Sequence, residues 1–227
     1  MKDYTIIFDL DGTLIDSAPD VCRALNRTLT STGRRPHSVD EVKTYLGHGA
    51  RVLMELALEQ TGGTPEDDII DTLTDTFLDD YAQHPVVDSC VFPGVFECLA
   101  ELSSKGAKLS ICTNKPSITA GPVLRALGLD SQFEAIVCGD QVPDRKPSGA
   151  HILAAITAVG GNPEASIMVG DSENDILAAI DLGVPSIAVT FGYAHAPYTE
   201  LGAHELVDDF RYMTATIESL IARDSLL

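Results

Sequence analysis

Thr5-Ile6-Ile7-Phe8-Asp9-Leu10-Asp11-Gly12-Thr13-Leu14 decides the reading of this chain. An unbroken β-branched and aromatic run meets two aspartates two positions apart, and a glycine follows at once. A continuous hydrophobic run bounded by a turn is the mark of a strand buried on both faces of a parallel sheet. The two carboxylates then stand at the strand's carboxyl end, the edge at which open α/β sheets bind ligands. An aspartate held there can attack phosphorus while its neighbour two residues on handles a proton.

Outward from this strand, the segment from about Asp16 to His84 has helical periodicity and no strand signal. Val21, Leu25 and Leu29 recur at helical spacing, as do Val52, Leu53, Leu56 and Ala57. A third helix is predicted to open on Thr64-Pro65-Glu66-Asp67, with Thr64 as its cap and Pro65 at its first position. From Phe92 onward short apolar runs alternate with helical patterns, through a strand at Lys108 to Cys112 and others near Cys138, Val169 and Val189. This order predicts an α/β fold: a doubly wound parallel sheet with a Rossmann-like core, and an all-helical cap inserted after the first strand. Residues 1–15 and 88–227 are the expected catalytic core and residues 16–87 the cap.

The chain has 227 residues, enough for such a core and a modest insertion. Its 15 Lys and Arg against 34 Asp and Glu leave a net charge of −19, which argues against nucleic acid or an anionic membrane as a partner. The same charge repels a phosphorylated substrate, so a phosphate site here needs local cations. Five scattered cysteines without a C-x-x-C pair point to a reducing compartment. With no signal-peptide pattern and no apolar run of membrane-spanning length, the cytoplasm is the expected location.

Four short stretches each follow a predicted strand: Asp9-x-Asp11-Gly12-Thr13, Thr113-Asn114-Lys115, Lys146-Pro147, and Gly170-Asp171-Ser172-Glu173-Asn174-Asp175. Alone, each reads as a turn, a helix cap or a surface lysine. Parallel strands deliver their carboxyl ends to one edge, so together they form a phosphoryl-transfer site. Asp9 is the candidate nucleophile, Asp11 the acid and base, and Lys146 the fixed positive charge. Gly12, Thr113 and Asn114 are candidates for holding phosphate oxygens. Mg²⁺ suits carboxylates, water and a substrate phosphate oxygen, and Asp171 adds a hard oxygen to those at Asp9 and Asp11. Thr13 and Asp175 are expected behind the ligands, Asp175 orienting Lys146 or the metal's waters.

This constellation resembles the haloacid dehalogenase superfamily. The family pattern D-x-D-G-T, then Thr/Ser, then Lys, then G-D-x-x-x-D is met at Asp9, Asp11, Thr13, Thr113, Lys146, Asp171 and Asp175. The second aspartate is that of the phosphatases and mutases, not of the dehalogenases. The resemblance implies Mg²⁺ held by Asp9, by the backbone carbonyl of Asp11 and by Asp171, and a cap that selects the substrate. Asp9 to Ser17, Phe92-Pro93-Gly94-Val95, Thr113-Asn114-Lys115-Pro116 and Gly170-Asp171-Ser172 with Asn174-Asp175-Ile176 are similar to the phosphoglycolate phosphatase group. Two places depart from it: His48 in Leu46-Gly47-His48-Gly49-Ala50, where Asn is commoner, and Lys146-Pro147-Ser148-Gly149, where a second proline is common.

Gly47-His48-Gly49-Ala50-Arg51 lies just ahead of a cap helix, where glycines permit close approach and free N–H groups favour an anion. Two readings of Arg51 stand side by side: with His48 it meets the substrate's non-phosphate end, or it pairs with Glu55 on the surface. The other histidines, His37, His84, His151, His195 and His204, read as surface or capping residues. The expected activity is a Mg²⁺-dependent phosphomonoesterase for a small phosphorylated metabolite, 2-phosphoglycolate leading. Alternatives are a sugar phosphate or pyrophosphate as substrate, a sugar phosphomutase resembling β-phosphoglucomutase, and a non-enzymatic phospho-receiver or binding module. Hinges are expected near Ile15 to Ala18 and Pro85 to Val91.

Overall fold

The computed structural model of the chain describes residues 1–224. Its first half runs β1 (Thr5–Phe8), β2 (Ile15–Asp16), α1 (Ala18–Ser31), α2 (Val39–Lys43), α3 (Ala50–Glu59), α4 (Asp67–Gln83), β3 (Cys90–Val91) and α5 (Val95–Ser104). It continues with β4 (Lys108–Thr113), α6 (Ser117–Ala126), β5 (Ala135–Cys138), α7 (Gly149–Ala158), β6 (Ser166–Gly170), α8 (Glu173–Leu182), β7 (Ser186–Val189), β8 (Glu205–Val207) and α9 (Met213–Asp224).

Six strands form one parallel sheet in the order β5-β4-β1-β6-β7-β8. Along β1, Ile6 and Phe8 enter one hydrophobic cluster and Ile7 the other, the alternation of a strand covered on both faces. Ile152, Ala155 and Ile156 of α7, with Ala178 and Ala179 of α8, cover the Ile7 face. Val95, Leu99 and Leu102 of α5, with Met213 and Ile217 of α9, help cover the other. The chain winds outward from β1 through β4 and β5, then returns and winds the opposite way through β6, β7 and β8. The crevice beyond β1 is therefore the topological switch point, where such sheets bind ligands. The doubly wound parallel sheet is the one expected.

Between β2 and β3 lie only helices. α1 buries Val21, Leu25 and Leu29 and α4 buries Ile70, Phe77 and Tyr81, as their spacing predicts; α3 buries Leu53 and Ala57 with Met54 and Leu58, while the expected Val52 and Leu56 are only half-buried, the buried face being rotated from the one expected. α4 starts at Asp67 with Glu66 as its cap residue, two positions later than expected. No side chain caps this start; the Ile69 N–H reaches Glu66 O at 3.0 Å and Asp68 Oδ1 at 2.9 Å. α2 was not anticipated, although Ser38 and Glu41 form the reciprocal capping box that announces a helix start.

The strands β2 and β3 pair antiparallel, Ile15 with Val91 and Asp16 with Cys90. They lie in the two stretches expected to hinge. Beside them, the buried Asp20 carboxylate of α1 accepts the N–H groups of Val87, Asp88 and Ser89 at 2.8, 3.0 and 2.8 Å, and the Ser89 hydroxyl at 2.7 Å.

His37 and His151 are buried, not at the surface. Backbone groups make this tolerable: His37 Nε2 lies 3.1 Å from Ala57 O, while His151 meets Val137 O at 3.2 Å and the Lys146 N–H at 3.3 Å.

Candidate active site

After β1 the backbone closes a tight turn: Thr13, Leu14 and Ile15 all direct their N–H groups at Leu10 O (3.3, 2.9 and 3.2 Å). Gly12 stands at φ +85°, and a side chain there would run into Asp171. Only glycine lets this turn lie against that carboxylate. Thr13 Oγ1 then donates to Asp171 Oδ1 at 2.9 Å, and the Tyr193 N–H donates to Asp171 Oδ2 at 2.6 Å. In the first turn of α8, Asp175 Oδ2 accepts the N–H groups of Asp171 and Ser172 (3.2 and 3.0 Å) and the Ser172 hydroxyl (2.8 Å). Lys146 Nζ donates to Asp175 Oδ1 at 2.6 Å and Cys112 O at 2.7 Å, and lies 2.9 Å from Asp9 Oδ1.

Asp9, Asp171 and Asp175 are all buried, with carboxylate oxygens within 4.8 Å of one another. Burial and the charge of Asp175 outweigh Lys146 and push the Asp9 carboxyl up to about 7. Burial, followed by repulsion from Asp175 and Asp9, raises Asp171 well above the usual carboxylate range. Burial works against the charge of Lys146, but Asp175 and Asp9 overcome it and hold the ammonium group firmly protonated. Asp9 Oδ1 receives no aligned hydrogen bond despite the nearby lysine, so a buried acceptor stands open. Hard oxygens, one open acceptor and surplus negative charge fit a divalent cation. Gly192 adds to the fit, since a side chain there would also fill the space beside Asp171.

A second ion pair stands beside the first. Asp11 accepts the Ser17 hydroxyl at 2.5 Å and the Lys115 ammonium at 3.0 and 3.1 Å. Lys115 also donates to the Tyr81 hydroxyl at 3.1 Å and sits 4.6 Å from the centre of that ring. Burial opposes the charge of Lys115, yet Asp11 and Tyr81 keep its pKa raised. Thr113, at the end of β4, accepts the Lys115 N–H at 3.2 Å. Asn114 is spent as a bridge, donating to Gly47 O at 2.8 Å and Lys146 O at 2.9 Å. A cavity of about 60 Å³ opens over Asp9, Asp11, Thr113 and Lys115, roofed by Leu53, Phe77 and Tyr81 from the helices.

The loop before α3 docks on the same edge. Gly47 O accepts from Asn114 and, at 3.1 Å, from Asn174, while the His48 ring stacks on His195 at 5.6 Å and 12°. Burial and the neighbouring His195 hold the His48 pKa below its usual value. Gly47 lines the cavity; His48 packs beside it. Arg51 is not brought in. Its exposed guanidinium is held by Glu55 at 2.5 Å, Asp67 at 2.8 Å and Asp71 at 2.7 Å, because the start of α3 faces the acidic first turns of α4. Of the two readings of Arg51, the surface pairing is the one seen.

The structure thus gathers Asp9, Asp11, Gly12, Thr13, Thr113, Asn114, Lys146, Asp171 and Asp175 at one sheet edge, with Gly47 and His48 against it. The sequence reading missed Lys115, Tyr81 and Tyr193. Lys115 carried a signal, a cation at the end of a strand in a chain short of cations. Tyr81 sat within an apolar helical stripe and carried none.

A family model described as Haloacid dehalogenase-like hydrolase matches residues 6–189. The chain is 46% identical over 220 residues to the phosphoglycolate phosphatase of Agrobacterium fabrum, covering 96% of this chain and 94% of that protein. To the phosphoglycolate phosphatase of Caulobacter vibrioides it is 41% identical over 206 residues, covering 91% and 87%. A crystal structure from Haemophilus somnus, described as a predicted phosphoglycolate phosphatase, matches with a TM-score of 0.89 at 30% identity, over 96% of this chain and 99% of that one. CbbY from Rhodobacter sphaeroides, in complex with phosphate, matches with a TM-score of 0.80 over 92% and 95% of the two chains; at 24% identity it speaks for the fold alone.

Proposed function

Because the chain belongs to the haloacid dehalogenase-like hydrolase family and is a phosphatase, we propose that it hydrolyses 2-phosphoglycolate through an aspartyl-phosphate formed on Asp9. The observation that carries this reading is Asp9 itself, buried on the cavity wall with an open Oδ1 and Lys146 at 2.9 Å. Its carboxylate attacks phosphorus, and the bond to the glycolate oxygen breaks as Asp11 protonates that oxygen. Water then attacks the phosphorus of the acyl phosphate, gives its proton to Asp11, and frees orthophosphate and the Asp9 carboxylate. Thr113 and Lys146 take charge on the phosphate oxygens, and Asp175 holds Lys146 in place. Asp9, Asp171 and the Asp11 carbonyl would hold Mg²⁺, which when bound would supply positive charge to offset the carboxylates that face a phosphate dianion.

Residues 16–87 act as a cap over this edge, and the docking of Gly47 on Asn114 and Asn174 supports that role. The five cysteines are unpaired, as the cytoplasm would leave them. Among the described residues no helix is long and apolar enough to cross a membrane.

Phosphate release with Mg²⁺ from 2-phosphoglycolate, hexose phosphates, nucleotides and pyrophosphate tests the reading. A clear preference for 2-phosphoglycolate is expected. Equal rates across the panel would remove the substrate assignment and leave the phosphatase.

A further inference from the structure

Lys115 is the one cation on the cavity wall among the described residues, and the reaction as written gives it no task. It is 5% exposed at its side chain and is anchored from two sides, by Asp11 of the sheet edge and by Tyr81 of α4. Such a charge, placed beside a cavity instead of at the surface, is suited to pair with an anion that enters.

The position of Asp11 says which anion. Asp11 serves the leaving oxygen, so whatever that oxygen carries falls next to the partner of Asp11. In 2-phosphoglycolate one methylene separates the leaving oxygen from the carboxylate. The carboxylate is thereby placed within reach of Lys115, whose Nζ lies 3.0 Å from Asp11 Oδ1. Lys146 is not available for the task, being tied to Asp9, Asp175 and Cys112 O behind the nucleophile.

The hydrogen-bond inventory agrees. Tyr81 accepts from Lys115, and among the described residues no acceptor takes its own hydroxyl hydrogen. Leu53, Phe77 and Leu78 also roof the cavity, the hydroxyl of the remaining tyrosine there, Tyr45, lies 3.4 Å from His37 Nδ1, and Arg51 is held outside by Glu55, Asp67 and Asp71. An ammonium and a free O–H side by side match the two oxygens of a carboxylate.

Resting on the substrate reading above, we infer that Lys115 and Tyr81 together form the carboxylate receptor of this phosphatase, Lys115 from the core and Tyr81 from the cap. Because the receptor is complete only when the two segments meet, a substrate carboxylate also fastens the cap over the site. Selectivity for a short phosphorylated hydroxy acid then comes from a core lysine and a cap tyrosine, and not from Arg51 at the start of α3.

The test compares kcat/KM for 2-phosphoglycolate with that for 2-hydroxyethyl phosphate, which replaces the carboxylate by an uncharged hydroxymethyl group. The ratio is measured in wild type, Lys115→Met and Tyr81→Phe, and it does not depend on the fraction of each variant that folds. The wild-type ratio is expected to be high and to fall at least about tenfold in Lys115→Met, with a smaller fall in Tyr81→Phe. A high wild-type ratio that both variants keep, even with lowered rates, overturns the receptor and leaves the substrate reading intact. A wild type that treats the two compounds alike overturns the substrate reading and the receptor with it.

Discussion

Lys146, Lys115 and Asp20 are held inside this protein by named partners, and His151 shows how narrow the tolerance for a buried charge is. Its Nδ1 accepts the Lys146 N–H and its Nε2–H donates to Val137 O. A protonated ring would point a donor at a donor. Burial, with Lys146 close by, accordingly pushes its pKa down to about 4 from 6.5. The folded state then binds fewer protons than the unfolded chain between these values. Stability is full above pH 6.5 and is lost as pH falls toward 4, by an amount on the order of 3 kcal/mol. His151→Gln cannot take up that proton, so its acid unfolding limb is expected to be shallower than that of wild type by urea titration. Parallel limbs would show that His151 titrates no differently in the folded chain.

The helical segment joins the sheet through two short connections, and both are held by single side chains. Asp20 gathers the returning connection through Val87, Asp88 and Ser89. The Tyr193 hydroxyl accepts the N–H groups of Ser17 and Ala18 at 3.0 and 3.2 Å and donates to Asp16 at 2.6 Å, while its own N–H holds Asp171. One residue thus ties the outgoing connection to the acidic cluster. Asp20→Ala would leave three inward-facing N–H groups without their acceptor, which costs roughly 2–4 kcal/mol. A fall of that size in unfolding free energy is expected from chemical denaturation, and a change below about 0.5 kcal/mol would place Asp20 among ordinary surface residues. These connections are also where the sequence was least legible. β2 and β3 have two residues each and cannot display a period, and β8 has three. By contrast β1, β4 and β6 carry their chemistry directly at their carboxyl ends, so adjacency in sequence became adjacency in space. What the sequence hid were side chains whose roles come from distant partners: Lys115 with Tyr81, Tyr193 with Asp16, and Arg51 claimed by the acids of α4.

The fold places Asp9, Asp171 and Asp175 together although the chain already carries a net charge of −19. Ionising Asp9, raised to about 7 from 3.8, and Asp171, held by burial and its acidic neighbours well above the usual carboxylate range, opposes folding when no cation is bound. Asp9 leaves its stability in place below about pH 3.8 and withdraws it as pH climbs toward 7, and Asp171 acts in the same direction. A divalent cation reverses that loss. Added Mg²⁺ is therefore expected to raise the melting temperature more at about pH 7.5 than at about pH 5, the contribution of His151 cancelling between the two forms. An equal rise at both would separate the metal from these carboxylates. In the proposed reaction everything turns on the open carboxylate of Asp9. The most direct measurement is the rate of phosphate release from 2-phosphoglycolate by Asp9→Asn beside wild type, at saturating Mg²⁺. A loss of at least about a thousandfold is expected, since the amide cannot form the acyl phosphate. A variant that keeps its rate to within about tenfold would contradict it and assign the attack on phosphorus to another group.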